Sequence, residues 1–248
     1  MLFPPESNFP YSVYSLSEDA VTIEFGNEIS DSLFEEISRF NNLINQTPFP
    51  GFRTTLQAYA TLTIFFDPLT VYRSKDLEGV HCFDKLKNYL GKLDADNTQS
   101  VKQTANKITI PVYYGGDSGP DLELVAKHHG ITTNQVIKLH SEAVYKVYML
   151  GFVPGFAYLG GLTEQLAMPR KSAPRKAIPA GSVGIASMQT AVYPMQTPGG
   201  WQIIGRTPIK MFDLTADNPV LLKPGDQVTF KPISQKQYNQ MAEGGNAD

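Results

Sequence analysis

Between Gly151 and Pro208 the chain interrupts its apolar runs with Gly and Pro so often that no helix of ordinary length fits. This punctuation constrains the fold more than any other feature. Three strings carry it: GFVPGFAYLGGL (Gly151 to Leu162), MPRKSAPRK (Met168 to Lys176) and IPAGSVGIASMQTAVYPMQTPGGWQIIGRTP (Ile178 to Pro208). Pro154-Gly155, Gly160-Gly161 and Pro198-Gly199-Gly200 demand turns and bring backbone close to backbone or to a ligand. The apolar runs left between them suit only strands. VYKVYML, VGIAS, TAVYP, WQIIG, IKMFD, VLL and QVTFK form a series of short strands at similar spacing, which predicts a closed or nearly closed barrel. The sole Trp, Trp201, and Arg206 lie inside this region, which reads as a shaped surface.

The first hundred residues follow another rhythm. Residues 11 to 25 alternate as a strand, with Val21, Ile23 and Phe25 on one side. In SDSLFEEISRFNNLINQ, Ser32 and Glu35 form a candidate capping box, and Leu33, Ile37, Phe40 and Ile44 recur at helical spacing. LQAYATLTIFFDP predicts a long strand bent before Thr61, and Ser74 to Leu93 a second helix with Leu77, Val80, Phe83, Leu86 and Leu90 inward. Such an order suits a small α/β sandwich with helices on one face of its sheet. The stretch from Asp94 to Lys107 is polar and aperiodic, which predicts a linker. The expected class is α+β, with a sandwich domain over residues 1–94 and a barrel domain over 107–235. Within the latter, Asp121 and Gly130 bracket a short helix, Thr132 and Gln135 form a capping box for the next, and SQKQYNQMAEGGNAD reads as a fraying tail.

At 248 residues, 42% apolar and 18% charged, the chain has enough core-forming side chains for two domains. No apolar run approaches the length of a membrane helix, and MLFPPESNF lacks the basic head and hydrophobic body of a signal peptide, so a cytoplasmic location is expected. The single cysteine, Cys82, agrees with a reducing compartment and reads as a packing piece. A net charge of −3 gives no general attraction to nucleic acid. The charge is divided, however: residues 1–100 carry 14 acidic and 7 basic side chains, residues 101–248 carry 10 and 14. That division suits an anionic ligand or acidic partner for the second half, or simple scatter on a solvated surface. No P-loop, HExxH, paired-cysteine site or nucleophile elbow is present, and the four histidines show no metal-ligand spacing, so neither a metal site nor a self-contained hydrolase or kinase is expected.

Several side chains have both a chemical and a plain reading. Arg206, inside an apolar strand end, either grips a ligand carboxylate or phosphate or braces a loop. Gln189 and Thr190 either orient a small polar substrate or bond the neighbouring PGG turn. Phe152, Pro154, Phe156 and Tyr158 alternate with period two, which makes Pro154 and Phe156 a pocket wall or plain core, and Trp201 has the same two readings. Arg170, Lys171, Arg175 and Lys176 form a basic loop that meets nucleotide phosphates, an acidic partner or only solvent. The absence of interleaved aromatics counts against single-stranded nucleic acid. His140, at the end of a short helix, is a candidate general acid/base or a helix cap.

GFVPGFAYLGGL, IPAGSVGIA, QTAVYP and PGGWQIIGRTP, with TLTIFFDP more weakly, resemble the signature strings of a family. It includes the B subunit of bacterial 5-oxoprolinase, allophanate hydrolase subunit 1 and an inhibitor of a sporulation histidine kinase. The resemblance implies a cyclophilin-like barrel in the second half. It also implies a role as one subunit of an ATP-dependent enzyme converting 5-oxo-L-proline to L-glutamate. The partners it implies are a second cyclophilin-like subunit, of the type of the 5-oxoprolinase C subunit or allophanate hydrolase subunit 2, and a third subunit, with ATP and magnesium shared across the assembly. The alternatives are a kinase-inhibiting binding module or a subunit of an allophanate- or urea-degrading amidohydrolase. On the enzyme reading Arg206, Gln189 and His140 are the candidate catalytic residues. Phe156, Thr190, Trp201 and Pro154 are then candidates for substrate, and Arg170 and Arg175 for nucleotide.

Overall fold

The computed structural model describes residues 11–96 and 105–244, and the chain divides into two compact units, Met1–Gln103 and Thr104–Asp248. The first is a four-stranded antiparallel sheet with helices on one face. Its elements are β1 (Ser12–Ser17), β2 (Ala20–Glu24), α1 (Asp31–Gln46), β3 (Phe52–Gln57), β4 (Thr61–Phe66), α2 (Pro68–Arg73) and α3 (Cys82–Asp96), and the strand order is β1-β2-β4-β3. Val21, Ile23, Leu62, Ile64 and Phe66 point from the sheet into a core completed by Ile37, Phe40 and Ile44 of α1 and Leu86 and Leu90 of α3. The opposite face carries polar cross-strand pairs, among them Thr22 and Thr63, whose hydroxyls meet at 2.9 Å.

Local detail departs from the sequence reading in several places. The single strand expected over residues 11–25 is a hairpin, turned where the Ser17 hydroxyl donates to Asp19 at 2.7 Å. The bent strand before Thr61 is likewise a hairpin, closed by the Ala58 N–H on the Thr61 carbonyl at 2.9 Å. The cap of α1 is Ser30, whose side chain accepts from the Leu33 N–H, because Ser30 has the extended backbone a cap requires whereas Ser32 already lies in the helix. The helix expected from Ser74 begins only at Cys82, and Val80 is exposed. Gly79 breaks it: at φ +143° it adopts a conformation closed to other residues, and a Cβ there would lie 2.7 Å from the Lys85 nitrogen. The buried Lys85 ammonium donates instead to the carbonyls of Tyr72 and Ser74, closing the end of α2. Cys82 donates its thiol to the Pro68 carbonyl at 3.4 Å. Part of the expected linker, residues 97–104, lies outside the described residues.

The second unit contains β5 (Lys107–Tyr114), α4 (Leu122–His129), α5 (Thr133–Glu142), β6 (Tyr145–Leu150), β7 (Ala157–Gly160), β8 (Arg175–Ile178), β9 (Ser182–Ala186), β10 (Gln189–Val192), β11 (Thr197–Gly199), β12 (Gln202–Arg206), β13 (Gln227–Pro232) and α6 (Gln235–Gly244). Seven strands close into a barrel in the order β10-β7-β6-β13-β5-β12-β9, and β8 with β11 forms a separate two-stranded ribbon. The expected α+β class and barrel are therefore present. Strands β5 and β13 run parallel, Lys107 opposite Gln227 through Val112 opposite Pro232. Ile110, Val112, Tyr145, Val147, Leu159, Val183, Ile185, Ile204, Val228 and Phe230 share one core, packed with Val125 of α4 and Val136 of α5.

Gly130 ends α4 in the left-handed conformation, and the Thr132–Gln135 capping box is complete at the start of α5. IKMFD and VLL, by contrast, are not strands and meet only in one bridge, Phe212 opposite Val220. The expected fraying tail is helical over residues 235–244, and residues 245–248 lie outside the described residues. Ser234 and Gln237 cap α6 reciprocally, and the Tyr238 ring lies 6.2 Å from that of Tyr113. With so few apolar residues α6 shows no stripe from which a sequence reading could begin.

Candidate functional site

Asp121 organises the polar end of the second unit. Its side chain is only 5% exposed, with Oδ1 accepting from Arg175 Nη2 at 2.8 Å and Lys171 Nζ at 3.2 Å. Oδ2 accepts from the Ile203 N–H at 2.7 Å, and the Asp121 N–H donates to the Ile203 carbonyl at 2.8 Å. Burial pushes this carboxyl up, but Arg175, the Ile203 amide and Lys171 outweigh it and hold Asp121 below its ordinary value. Asp121 stands at the N-cap position expected for it, yet its side chain makes no cap bond, because both oxygens are committed to β12 and the basic loop.

Loop 168–176 is consequently pinned. The Lys171 N–H donates to the Gly200 carbonyl at 2.7 Å, and the Gln202 side-chain amide donates to the Pro169 carbonyl at 2.9 Å. Of the four cations, Lys171 and Arg175 are ion-paired with Asp121, which corrects the picture of a free, solvated phosphate loop, while Arg170 and Lys176 are exposed. Beside the loop Tyr193 is buried, and this pushes its hydroxyl up to about 12, opposed by the Trp201 backbone N–H and by the charges of Arg170 and Arg175. Gly199 makes room for that hydroxyl: a Cβ there would lie 2.5 Å from it.

Phe156 and Trp201 are brought together, with ring centroids 5.8 Å apart at 89°, but they are buried with Ile178, Ala186, Ala191, Tyr193 and Ile203, and so act as core. Of the extended aromatic segment expected from Phe152 to Tyr158, the part up to Phe156 is a turn, closed by the Gly151 N–H on the Phe156 carbonyl at 3.1 Å, and only Ala157 and Tyr158 are strand, at the start of β7. Pro154-Gly155 enforces the turn. Pro154 is exposed on that turn, and Phe152 beside it has φ 71° and is 60% exposed.

His140 also departs from its expected role. It is fully buried, stacked on Phe230 at 4.5 Å. The Thr190 hydroxyl donates its one proton to the Gly184 carbonyl at 3.0 Å, so its oxygen accepts from His140 Nε2–H at 2.9 Å. Nδ1 is left to accept from the Tyr114 hydroxyl at 2.8 Å. Burial holds the imidazole down at about 3. A neutral ring with both nitrogens engaged and no exposed surface joins α5 to the barrel wall; it is not placed to exchange protons with a substrate. Thr190, wholly buried in the same chain of bonds, is equally committed.

Arg206 and Gln189 are not brought together. Arg206 pairs with Ser182 and Gln189 with Ala186, at opposite ends of β9 and on either side of it, which separates them by about 13 Å along the strand alone at the usual rise per residue. Arg206 Nε donates to the Ala180 carbonyl at 2.8 Å, so this side chain braces the turn before β9. The sequence reading missed Asp121 as an anchor and gave no role to Tyr193, Thr197 or Gln202. Among the described residues no group of three His, Cys, Asp or Glu stands close enough to hold a metal ion, and no helix is long and apolar enough to cross a membrane.

A family model described as the carboxyltransferase domain, subdomain C and D, matches residues 11–222. The 5-oxoprolinase B subunit of Bacillus subtilis (strain 168) is 42% identical over 236 residues, 95% of this chain and 98% of that one. The crystal structure of TTHA0988 superposes with a TM-score of 0.73 at 31% identity over 87% of this chain. The match spans 40% of that longer chain. The urea amidolyase of K. lactis has the same fold, with a TM-score of 0.74 at 19% identity over 97% of this chain and 16% of its own.

Proposed function

The chain belongs to the carboxyltransferase subdomain C and D family, and from that premise we propose that it is one subunit of a multi-chain 5-oxoprolinase, which opens 5-oxo-L-proline to L-glutamate at the expense of ATP. The observation that carries this reading is the end-to-end likeness to the 5-oxoprolinase B subunit, 42% identical over 98% of that protein. The likeness to urea amidolyase, at 19% identity, extends to the fold alone.

Opening an unstrained lactam near neutral pH is thermodynamically poor, which is why the reaction needs phosphoryl transfer, with cations near the developing charge. This chain does not fit ATP by itself. It has no glycine-rich phosphate cradle, and two of its four loop cations are engaged by Asp121. The nucleotide and magnesium are accordingly assigned to the assembly, with Arg170 and Lys176 as this chain's exposed cations toward it. The site is completed by a second cyclophilin-like subunit together with a third subunit. Pro154 and the exposed Phe152 form the turn proposed to meet one of them, and Arg206 with Gln189 frames the strand between. The sandwich (1–94) and the barrel (from 107, extended by α6) are the proposed domains, and the cytoplasm the proposed location. The test is reconstitution: purified subunits mixed with 5-oxo-L-proline and ATP should release glutamate. Release by this chain alone, or none from the complete mixture, would contradict the reading.

A further inference from the structure

Three buried polar atoms on adjoining segments of the second unit have no hydrogen-bond partner: Nη1 of Arg175, Oγ1 of Thr197 and Oε1 of Gln202. Thr197 is 8% exposed and Gln202 4%. The segments are tied to one another. Arg175 lies opposite Gly199 across the β8–β11 ribbon, two residues from Thr197. The other terminal nitrogen of Arg175 is fixed to Asp121, which also holds the amide of Ile203, the residue after Gln202. The orientation of the Gln202 amide follows from its bond to the Pro169 carbonyl, which needs the NH2 group and leaves the oxygen over.

Each unpaired buried polar atom is a cost that ordinary folds avoid. Here three occur on linked segments and differ in kind: a cationic donor, a hydroxyl and a carbonyl acceptor. Charge around them is also unbalanced, since Lys171 and Arg175 share the one carboxylate of Asp121, and Arg170 adds its charge beside Tyr193. A phosphoryl group without a P–OH would meet the donors but would set an oxygen against the Gln202 carbonyl, whereas inorganic phosphate keeps a P–OH to donate and is therefore a needed competitor in the test. A small carboxylate with a neighbouring amide meets all three.

We propose that loop 168–176, the β8–β11 ribbon and the head of β12 form a subsite for a small carboxylate that carries an adjacent amide. In it Arg175 Nη1 pairs with the carboxylate, Gln202 Oε1 accepts the amide N–H, and Thr197 donates to the amide carbonyl. The ligand class follows from the three atoms; that the ligand is 5-oxo-L-proline rests on the function proposed above.

Trp201, the sole Trp, precedes Gln202 and makes intrinsic fluorescence a local reporter. The full chain, alone and mixed with its partner subunits, is titrated with 5-oxo-L-proline, its neutral carboxamide, N-acetylglycine and inorganic phosphate. The expected result is saturable binding of 5-oxo-L-proline at least tenfold tighter than of the carboxamide or phosphate. Q202L should weaken it about tenfold, the worth of one hydrogen bond to a bound polar group. T197V should weaken binding while raising Tm by a few degrees, because it removes a buried hydroxyl without a partner. A Tm that falls in T197V, phosphate or carboxamide binding as tightly as the acid, or no saturation by either carboxylate in folded protein would overturn the subsite. Binding of N-acetylglycine without 5-oxo-L-proline would leave the subsite standing and remove the 5-oxoprolinase reading.

Discussion

Two buried polar networks in the second unit differ in whether their hydrogen bonds close. Around His140 every donor finds an acceptor: Tyr114, both ring nitrogens, Thr190 and the Gly184 carbonyl form one complete chain. Around Asp121 the anchor is equally firm, but Arg175, Thr197 and Gln202 each retain an unused atom. A closed network needs nothing from outside and serves the fold, whereas an open one has capacity left for a ligand. The contrast also explains how a histidine, the residue most often suspected of chemistry, is structural here, while a glutamine and a threonine that attract no notice in the sequence are the better candidates.

The largest test of the comparison is His140→Ala. It leaves the Tyr114 and Thr190 hydroxyls unpaired and opens a cavity against Phe230, and it is expected to cost about 4 kcal/mol in urea unfolding. A loss below about 1 kcal/mol would mean that the closed network does not hold the barrel. Next comes Asp121→Asn, which leaves Arg175 and Lys171 partly buried without their counter-charge. About 2 kcal/mol should be lost, together with the fluorescence response of Trp201 to ligand.

The histidine sharpens the contrast through pH. Its value of about 3 in the folded chain lies below the ordinary 6.5, so the unfolded chain takes up a proton that the folded chain refuses. The contribution of His140 is full above pH 6.5 and declines as pH falls toward 3, by at most about 1.4 kcal/mol per pH unit. His140→Asn should flatten that slope in a pH series of urea midpoints, and an unchanged slope would place the titration elsewhere. The smallest effect is expected at Phe152→Gly. Relief of a left-handed aromatic residue should stabilise the isolated chain by up to about 1 kcal/mol, while association with the partner subunits, read by sedimentation, weakens. Unaltered association would remove this turn from the partner surface.

What could be read from sequence was what local chemistry decides. The Thr132–Gln135 box, the Gly130 stop and the turns at Pro154-Gly155 and Gly160-Gly161 depend on residues within a few positions of each other. The candidate site depends on residues 50 to 82 positions from Asp121, which ties them together, and no local pattern signals that a capping aspartate will spend its oxygens on a distant strand. Arg206 and Gln189 fail for the complementary reason. Nearness along the chain suggested one groove, but strand register places them at opposite ends of β9. Glycine at Gly79 was the visible sign that the second helix starts late, outweighed by an apolar periodicity that happened to continue through it.

The parallel β5–β13 pair sets a timetable for folding. The first and last strands of the barrel clasp each other across some 120 residues, as the Thr109–Thr229 hydroxyl contact shows. A ribosome must therefore deliver nearly the whole unit before the cylinder can shut, and until then both seams are bare edges open to mispairing. Barrel closure is accordingly the slow event in folding, in the millisecond-to-second range typical of distant pairings. A chain cut short before Gln227 should not be a smaller barrel but a sticky, unsealed sheet that aggregates.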